Sequence, residues 1–415
     1  MDVVKPNIFL IVIDSLRSDK CFGKTKTSFT PNIDNLIKNG VYFSEMFCSS
    51  STTGSSTGSM FTGLFPFKTG MGGETYRKLN SKNIVYTDIL KDQGYHPFAL
   101  LPSNEIVTMG LPFGFGENYD TYPYHDHLFD GLGDKITNKL STLSNKQPWF
   151  FYTHLLDLHS PISPPKEYDK EEFGLSKYER MVSAIDFWLG EFLKKIKLKN
   201  TLVVVTADHG EYIPLLKIDD EIISFETGST QKTMWKLGAK IPSSLFPYAA
   251  KLNSILQKKN RRSKFSKISQ NLSDYQKRTL LTSRMDLHNR VYDELLHIPL
   301  IFSGFGVLSK GVISGLVRNV DIFPTVCDLA NLNNMSFPIH GKSLKPLVND
   351  EKSDELPLYI ESPPSIEQST QHVTGIRTSQ FKYFRDTKNP KENITLFDLK
   401  KDPNEENNIA QSNPQ

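Results

Sequence analysis

Two uninterrupted apolar runs, each followed by acidic residues, constrain the fold of this chain more than any other feature. The first run, NIFLIVI, covers residues 7–13 and leads to Asp14; the second, TLVVVT, covers residues 201–206 and leads to Asp208 and His209. Apolar runs of this length without polar alternation are typical of strands that are buried on both faces of a parallel sheet. The sequence therefore predicts a central parallel sheet with polar residues at its strand ends.

Three further runs and the helical patterns between them define the fold class. The runs lie at residues 95–101, 147–161 and 297–304, and the segments TPNIDNLIKNGV and YERMVSAIDFWLGEFLKKI have the spacing of amphipathic helices. Strands that alternate with helices along a chain predict an α/β fold with a mostly parallel central sheet.

The overall composition excludes several classes of protein. The chain has 415 residues, of which 38% are hydrophobic, and its net charge is +3, so we expect a globular protein without a nucleic-acid partner. Three cysteines without a C-x-x-C pair argue against a disulfide framework and a structural zinc site. The N-terminal apolar run of seven residues is far below the roughly 20 that span a bilayer. Because the sequence shows no signal-peptide pattern and no transmembrane segment, we expect a cytoplasmic protein.

The distribution of charge and of strand patterns divides the chain into three parts. Residues at about 214–285 include 14 Lys or Arg and five Asp or Glu, and we name this segment the basic insertion. The rest of residues 1–353 carries the patterns of one large domain. Residues 354–415, with the strand patterns LPLYIE and FKYF, are predicted to form a small C-terminal α+β subdomain of the same fold.

The residues at the strand ends are candidates for a metal site. Since the carboxyl ends of parallel strands meet at one edge of a sheet, Asp14, Asp208 and His209 can converge on a single divalent cation. Two carboxylates and an imidazole suit Mn²⁺ or Zn²⁺ better than an all-oxygen calcium site. An Asp after a strand is, however, also a common turn or helix-cap residue.

A polar segment beside these residues supports the metal-site interpretation. Residues 49–66, SSSTTGSSTGSMFTGLFP, contain ten Ser or Thr. Such a segment is either a flexible linker or a loop that places one hydroxyl in front of a metal. A helix that begins in it would offer free backbone N–H groups to an anion, which favours the second interpretation.

Motifs in a fixed order along the chain resemble those of the sulfatase family, which belongs to the alkaline phosphatase superfamily. The motifs are PNIFLIVIDSLRSD, TPNIDNLIKNGVYF, SMFTGLFPFKTG, FFYTHLLDLHSPISPP, VVVTADHGE, VYDELLHIPLIFSG and LFDLKKDPNEENN. The resemblance covers almost the whole chain except the basic insertion. It implies a sulfatase-like sandwich, with a catalytic domain at residues 1–353 and the C-terminal subdomain at residues 354–415.

The resemblance also implies that Thr53 is the nucleophile. In the family, the nucleophile lies nine residues before the Thr of the pair that closes the loop, which here is Thr62–Gly63. Sulfatases have a Cys or Ser there, converted to formylglycine within C-x-P-x-R, and this chain lacks the Cys, the Pro and the Arg. Related phosphodiester hydrolases and transferases have an unmodified Thr, whose hydroxyl a metal can activate. The hydroxyls of Ser51, Thr52 and Ser55 stay open as alternatives, because a shift of one or two residues would select one of them.

By the same resemblance, Asp14, Thr53, Asp208 and His209 form a site for one divalent metal ion. Calcium-using sulfatases often have Asn at the position of His209, so Mn²⁺ is expected, with Ca²⁺, Mg²⁺ and Zn²⁺ as alternatives.

The resemblance also implies that three further residues contact the substrate. His159 is a catalytic candidate, because an imidazolium can neutralise an ester oxygen or donate a proton to it, although it can equally be a hydrogen-bonded histidine in a proline-rich loop. His288 is a candidate substrate ligand. Arg17 either binds the anion or pairs with a nearby carboxylate.

The function predicted from the sequence is a metal-dependent hydrolase or transferase acting on phosphate monoesters and diesters. An unmodified threonine ester has to be opened by a second attack at the central atom, which phosphorus accepts readily. The alternatives are a sulfuric ester hydrolase and a catalytically silent protein that binds a glycan or an anion. The substrate would be a phosphorylated or sulfated glycan or lipid head group, and the basic insertion is a candidate for peripheral membrane contact.

Overall fold

The chain is built around one large sheet, with a smaller sheet in its C-terminal part. The computed structural model describes residues 5–71, 78–80, 82–103, 110, 114–124, 126–143, 145–218, 221–226, 259–260, 262–268, 271–282, 291–332, 338–351, 353–362, 372–391 and 394–412. Within them, the strands in chain order are β1 (Asn7–Ile13), β2 (Val41–Phe47), β3 (His96–Pro102), β4 (Tyr119–Tyr122), β5 (Trp149–Leu155), β6 (Thr201–Thr206), β7 (Leu215–Ile218), β8 (Glu221–Ser224), β9 (Leu300–Gly304), β10 (Gly311–Arg318), β11 (Leu358–Ser362), β12 (Val373–Arg377), β13 (Phe381–Asp386) and β14 (Thr395–Asp398).

Helices connect most of these strands. In chain order they are α1 (Pro31–Asn39), α2 (Thr53–Thr62), α3 (Pro66–Thr69), α4 (Tyr86–Asp92), α5 (Leu132–Leu143), α6 (Lys177–Leu193), α7 (Asp274–Leu281), α8 (Asp293–Leu296), α9 (Ile322–Leu329) and α10 (Lys345–Val348). Both helices predicted from the spacing of apolar residues are present, as α1 and α6. The longer of them, α6, begins with a capping box in which Ser176 and Glu179 exchange side-chain-to-backbone hydrogen bonds.

The central sheet has eight strands in the order β10–β2–β9–β6–β1–β5–β3–β4. All neighbours are parallel except the two pairs that involve β9, which confirms the predicted mostly parallel α/β fold. Strands β1 and β6 are buried along their whole length, as their apolar sequences predicted. Strands β2, β4 and β10 were not predicted, because their sequences mix polar and apolar residues or are short.

Helices cover both faces of this sheet, and aromatic side chains fill the two layers. On one face, Phe9 stacks on Phe151 with ring centroids 5.2 Å apart and meets Phe192 of α6 at 6.3 Å. On the other face, Phe150 meets Tyr86 of α4 at 5.1 Å. Because successive residues of a strand point to opposite faces, Phe151 packs in the layer of α6 on one face of the sheet and Phe150 packs in the layer of α4 on the other.

The basic insertion contains a short antiparallel hairpin, β7–β8, where the sequence showed no clear strand. The strands have four residues each, so their apolar alternation is too brief to stand out. The side chains of Phe225, Leu272 and Leu280 form a separate small apolar cluster beside it. The described part of the insertion is therefore a small folded unit.

The C-terminal part forms a four-stranded antiparallel sheet in the order β11–β12–β13–β14. A buried ion cluster joins it to the segment before α8. The Lys382 ammonium, which is fully buried, binds the Asp293 carboxylate, the Glu405 carboxylate at 2.5 Å and the Val291 carbonyl at 2.9 Å. Arg377 pairs with Asp293 at 2.8 Å. These contacts connect the described part of the C-terminal sheet to α8 and to the residue that precedes it by two positions, Val291.

In the described part of the chain, no helix combines the length and the apolar character that crossing a membrane requires.

Replacing Lys382 with Met should lower the free energy of unfolding by about 3–5 kcal/mol, because it leaves the buried Glu405 carboxylate without its cation and removes one of the two cations that pair with Asp293. Urea unfolding measures the change. The matched control is Lys401→Met, because Lys401 is 86% exposed and lies 3.5 Å from Asp398. We expect the control to change stability by no more than about 0.5 kcal/mol. Equal effects in the two variants would contradict a structural role for the cluster.

Candidate active site

The carboxyl ends of three adjacent parallel strands bring polar residues to one point. Strand β1 lies between β5 and β6, and in the register Val12 is level with His154 of β5 and with Thr206 of β6. Asp14 follows β1, and Asp208 follows β6, so both reach the same edge of the sheet. The prediction that Asp14 and Asp208 converge therefore agrees with the sheet topology.

Thr53 is the first residue of α2, and the helix begins directly at this edge. Its hydroxyl Oγ1 lies 3.3 Å from Asp14 Oδ2 and 3.3 Å from His209 Nε2. Since free backbone N–H groups at a helix start favour anions, the start of α2 suits an anionic ester group.

Five side-chain atoms that could coordinate a metal form a closed ring at this point. Asp14 Oδ2 lies 3.7 Å from His154 Nε2, which lies 3.9 Å from Asp208 Oδ2. His209 Nε2 is 3.6 Å from Asp208 Oδ2, and Thr53 Oγ1 closes the ring between His209 and Asp14. Asp14, His154 and Asp208 alone already meet the geometric requirement for holding a metal ion.

The side chains of this ring fit a divalent metal. All but Thr53 are almost completely buried, with exposures of 2% or less. His154 Nε2 and Asp208 Oδ2 have no hydrogen-bond partner among the described residues, although both atoms are buried. A buried carboxylate oxygen and a buried ring nitrogen that face each other without hydrogen bonds are what a metal site requires of its ligands. The sulfatase resemblance implies a divalent metal here, and the donor set agrees with it.

Neighbouring groups hold these ligands in position. Asp208 Oδ1 accepts hydrogen bonds from the backbone N–H groups of Ser15, at 3.1 Å, and His209, at 2.8 Å. The Ser15 hydroxyl donates to Asp14 Oδ1 at 2.6 Å, and the Ser15 backbone is in the left-handed region with φ of 65°. His209 Nδ1 lies 2.8 Å from the Gly210 carbonyl, which orients its Nε2 into the ring. The strained turn at Ser15 therefore donates a hydrogen bond to the carboxylate of each aspartate, Asp14 and Asp208.

The polar segment is a buried part of the site and not a flexible linker. Ser56 Oγ donates to the Asp208 carbonyl at 2.5 Å, and Asn319 Nδ2 donates to the Ser56 carbonyl at 3.1 Å. Ser51 Oγ contacts Ser362 Oγ of β11 at 3.3 Å. These bonds fix the start of α2 relative to the strand that carries Asp208.

The alternative hydroxyls and the nearby thiol occupy other positions. Thr52 Oγ1 contacts Ser50 Oγ at 3.2 Å, and Ser55 Oγ donates to the Met71 carbonyl at 2.9 Å. Burial raises the pKa of the Cys48 thiol well above its ordinary value, so this thiol stays protonated. Of these groups, Thr53 is the one in contact with Asp14 and His209.

The predicted substrate residues are placed differently from the metal ligands. The His159 ring contacts the Tyr124 hydroxyl, 2.6 Å from Nε2, and the Ser160 carbonyl, so its contact with substrate stays a prediction. The Arg17 guanidinium pairs with Asp19 at 2.8 Å and 3.0 Å. This agrees with the carboxylate pairing left open above, while binding of the anion by Arg17 stays a prediction. His288 lies outside the described residues.

His154 is a site residue that the sequence analysis missed. It lies within the apolar segment FFYTHLL, where a single histidine resembles an ordinary core residue. The signal that could have identified it is its position one residue before the end of a strand that neighbours β1.

Comparisons with known proteins show which family this chain resembles. A family model described as Sulfatase matches residues 6–332, and another, described as N-sulphoglucosamine sulphohydrolase, C-terminal, matches residues 286–415. Arylsulfatase K of Gallus gallus is 24% identical, over 98% of this chain and 79% of its own length. Delta 4,5-hexuronate-2-O-sulfatase of Bacteroides thetaiotaomicron is 21% identical, over 98% of this chain and 85% of its own length.

A solved structure provides the comparison of folds. It is described as a complex with its substrate, D-Glucosamine-2-N, 6-O-disulfate, and it superposes with a TM-score of 0.64 at 17% identity. The superposition covers 98% of this chain and 93% of that one, which confirms the predicted sulfatase-like fold. The names of these proteins concern sulfate esters. The comparisons therefore favour the sulfate-ester alternative over the phosphate-ester function predicted from the sequence.

Replacing Asp208 with Asn should have opposite effects on the metal-free and metal-loaded protein. Without metal, the variant should be at least as stable as wild type, because a buried negative charge beside Asp14 is removed while Oδ1 keeps its two backbone hydrogen bonds. With Mn²⁺ at 100 times its Kd, wild type should gain about 2.7 kcal/mol and the variant almost nothing. Scanning calorimetry with and without Mn²⁺ measures both effects. A variant that keeps the full metal-dependent gain would exclude Asp208 as a ligand.

Proposed function

Because the chain belongs to the sulfatase family, we propose that it is a metal-dependent hydrolase that removes a sulfate ester from a glycan, with the Thr53 hydroxyl as nucleophile. The observation that carries this proposal is the position of Thr53 Oγ1, 3.3 Å from both Asp14 Oδ2 and His209 Nε2. The substrate class is supported by relatives named for a hexuronate 2-O-sulfate and an N-acetylgalactosamine 6-O-sulfate.

The proposed reaction has two displacements at the same central atom. The Thr53 hydroxyl loses its proton to solvent and its oxygen attacks sulfur, the bond from sulfur to the sugar oxygen breaks, and the sugar oxygen leaves with a proton from His159. Water then attacks sulfur and returns a proton to His159, the bond to Thr53 Oγ1 breaks, the Thr53 oxygen takes back a proton from solvent, and inorganic sulfate is released. A divalent metal bound at the ring would lower the pKa of the hydroxyl and neutralise the ester oxygens.

The residues around Thr53 prepare it for this attack. Its hydroxyl donates a hydrogen bond to Asp14 Oδ2, which holds the oxygen in one orientation. The start of α2 directs backbone N–H groups toward the ester anion. His159, whose ring is held by the Tyr124 hydroxyl, is proposed to give the leaving oxygen its proton.

A second candidate function is hydrolysis of a phosphate ester, or transfer of the phosphoryl group to an acceptor alcohol. The observation that favours it is the identity of residue 53, because Thr cannot form the aldehyde through which formylglycine releases sulfate. A threonine ester has to be opened by a second attack at the central atom, and phosphorus accepts that route more readily than sulfur. The substrate would then be a phosphorylated glycan or lipid head group.

The catalytically silent alternative is the least supported. Asp14, Asp208 and Thr53 all keep groups that can bind a metal or attack an ester, and the three lie together. We propose Mn²⁺ as the ion, because the site adds imidazole nitrogen to carboxylate oxygen.

The basic insertion supports binding of a polyanionic substrate. Arg262, Lys264 and Lys267 are exposed, whereas the neighbouring side chains of Phe265 and Ile268 pack against the small apolar cluster of the insertion. The segment therefore presents charge outward and keeps its apolar side chains covered, which suits a sulfated polymer better than insertion into a membrane.

Replacing Thr53 with Ala should lower turnover by at least about 10³-fold, because the nucleophile is removed. Nitrophenyl sulfate, nitrophenyl phosphate and bis-nitrophenyl phosphate are assayed with Mn²⁺. Thr53→Ser keeps a hydroxyl and should restore most of the activity, while Thr52→Ala is the control for a one-residue shift.

The substrate pattern separates the candidate functions. Sulfate turnover that requires Thr53 supports the leading proposal, and phosphate turnover alone assigns the second. Activity lost in Thr52→Ala but kept in Thr53→Ala would show that the nucleophile is misassigned. Metal binding without turnover of any ester would favour the silent alternative.

Replacing Arg262, Lys264 and Lys267 together with Glu should raise KM for a sulfated polysaccharide about tenfold or more and leave kcat on nitrophenyl sulfate unchanged. The effect should shrink as salt increases, because exposed charges are screened. The matched control replaces three exposed lysines in the segment that precedes β6, Lys195, Lys197 and Lys199. An unchanged KM would exclude polymer docking here. Loss of binding to anionic lipid vesicles, but not to the polysaccharide, would instead assign the surface to membranes.

A further inference from the structure

We propose that His154 is a ligand of the metal, and that its imidazole makes the site select a transition metal such as Mn²⁺ or Zn²⁺ over Ca²⁺. This inference rests on the metal dependence of the proposed function. It goes beyond that function because it gives His154 a role that the sequence motifs did not assign to it, and because it names a residue on which the choice of ion depends.

The first argument is the position of His154 in the sheet. It lies level with Val12 on the strand next to β1, so its side chain reaches the same edge as Asp14. Its Nε2 is 3.7 Å from Asp14 Oδ2 and 3.9 Å from Asp208 Oδ2. Ligand atoms bound to one ion at about 2.0–2.2 Å lie about this far apart.

The second argument is the way in which the ring is held. His154 is fully buried, and its Nδ1 lies 2.8 Å from the Tyr152 hydroxyl. Tyr122 donates a hydrogen bond to the His154 backbone carbonyl at 2.5 Å, which anchors the residue itself. A histidine that ligates a metal through one nitrogen usually has its other nitrogen in such a hydrogen bond.

The third argument is that Nε2 has no other role in the described structure. It is buried and has no hydrogen-bond partner among the described residues. A neutral imidazole nitrogen in this position would leave a polar atom unsatisfied beside two carboxylates, which is unfavourable. Coordination satisfies it and also satisfies the Asp208 oxygen that faces it.

The chemical consequence follows from ligand preference. With His154 and His209, the ring has two nitrogen donors beside Asp14, Asp208 and Thr53. Calcium and magnesium prefer oxygen ligands, whereas imidazole suits zinc and other transition metals. A second imidazole therefore shifts the preference of the site away from Ca²⁺.

The test compares metal binding in wild type, His154→Gln and Tyr152→Phe, with His96→Gln as the control because His96 is exposed at the start of β3. Isothermal titration gives Kd for Mn²⁺, Zn²⁺ and Ca²⁺. His154→Gln should weaken Mn²⁺ and Zn²⁺ binding about 10²-fold or more and Ca²⁺ binding much less, and Tyr152→Phe should weaken Mn²⁺ binding about 10–100-fold. His96→Gln should bind like wild type.

Pulsed EPR on the Mn²⁺-loaded protein counts the imidazoles that are bound to the metal. Wild type should show nitrogen couplings from two imidazoles, and His154→Gln should show one. One coupled imidazole in wild type that persists in His154→Gln, or equal losses for Ca²⁺ and Mn²⁺ in His154→Gln, would overturn the proposal. Ester turnover with a single coupled imidazole would leave the proposed function intact, and two coupled imidazoles without turnover would contradict only the function.

Discussion

Two buried carboxylates, on Asp14 and Asp208, meet at the carboxyl ends of adjacent parallel strands, and the rest of the site is arranged around their charge. Burying such charges is unfavourable by several kcal/mol per ion unless they are compensated. Because β1 and β6 are parallel neighbours that end at the same edge of the sheet, the carboxylates of Asp14 and Asp208 lie close together. The imidazoles of His154 and His209 lie beside them, and a divalent ion held by these groups would supply the compensating positive charge.

The proposed nucleophile, Thr53, depends on this arrangement through the helix that carries it. Helix α2 begins at Thr53, and Ser56 in its first turn donates a hydrogen bond to the Asp208 carbonyl. Asn319 then holds the Ser56 carbonyl at 3.1 Å. The position of the Thr53 hydroxyl is therefore determined by the same strand end that carries the metal ligand, and a one-residue shift of the loop would break these bonds.

Sequence patterns predicted the structure correctly where a single property, such as an unbroken run of apolar residues, dominates a segment. The buried runs predicted the central strands, and the family resemblance predicted Thr53 from its spacing to Thr62–Gly63; its hydroxyl lies 3.3 Å from Asp14 Oδ2, while its role as nucleophile stays a proposal. His154 was missed because a single imidazole in an apolar run carries no periodic signal, and its role depends on which strand lies next to β1. The β7–β8 hairpin was missed because four-residue strands show almost no alternation. For Arg17, only three-dimensional contacts reveal the pairing with Asp19.

The central claim is that one ion is held by this ring with the Thr53 hydroxyl among its ligands. The most direct measurement is anomalous X-ray diffraction from crystals grown with Mn²⁺, collected on both sides of the manganese edge. The account predicts one anomalous peak about 2.0–2.3 Å from ligand atoms of Asp14, Thr53, His154, Asp208 and His209. A peak elsewhere, or a peak at the two aspartates that leaves Thr53 Oγ1 beyond bonding distance, would contradict a metal-activated threonine nucleophile.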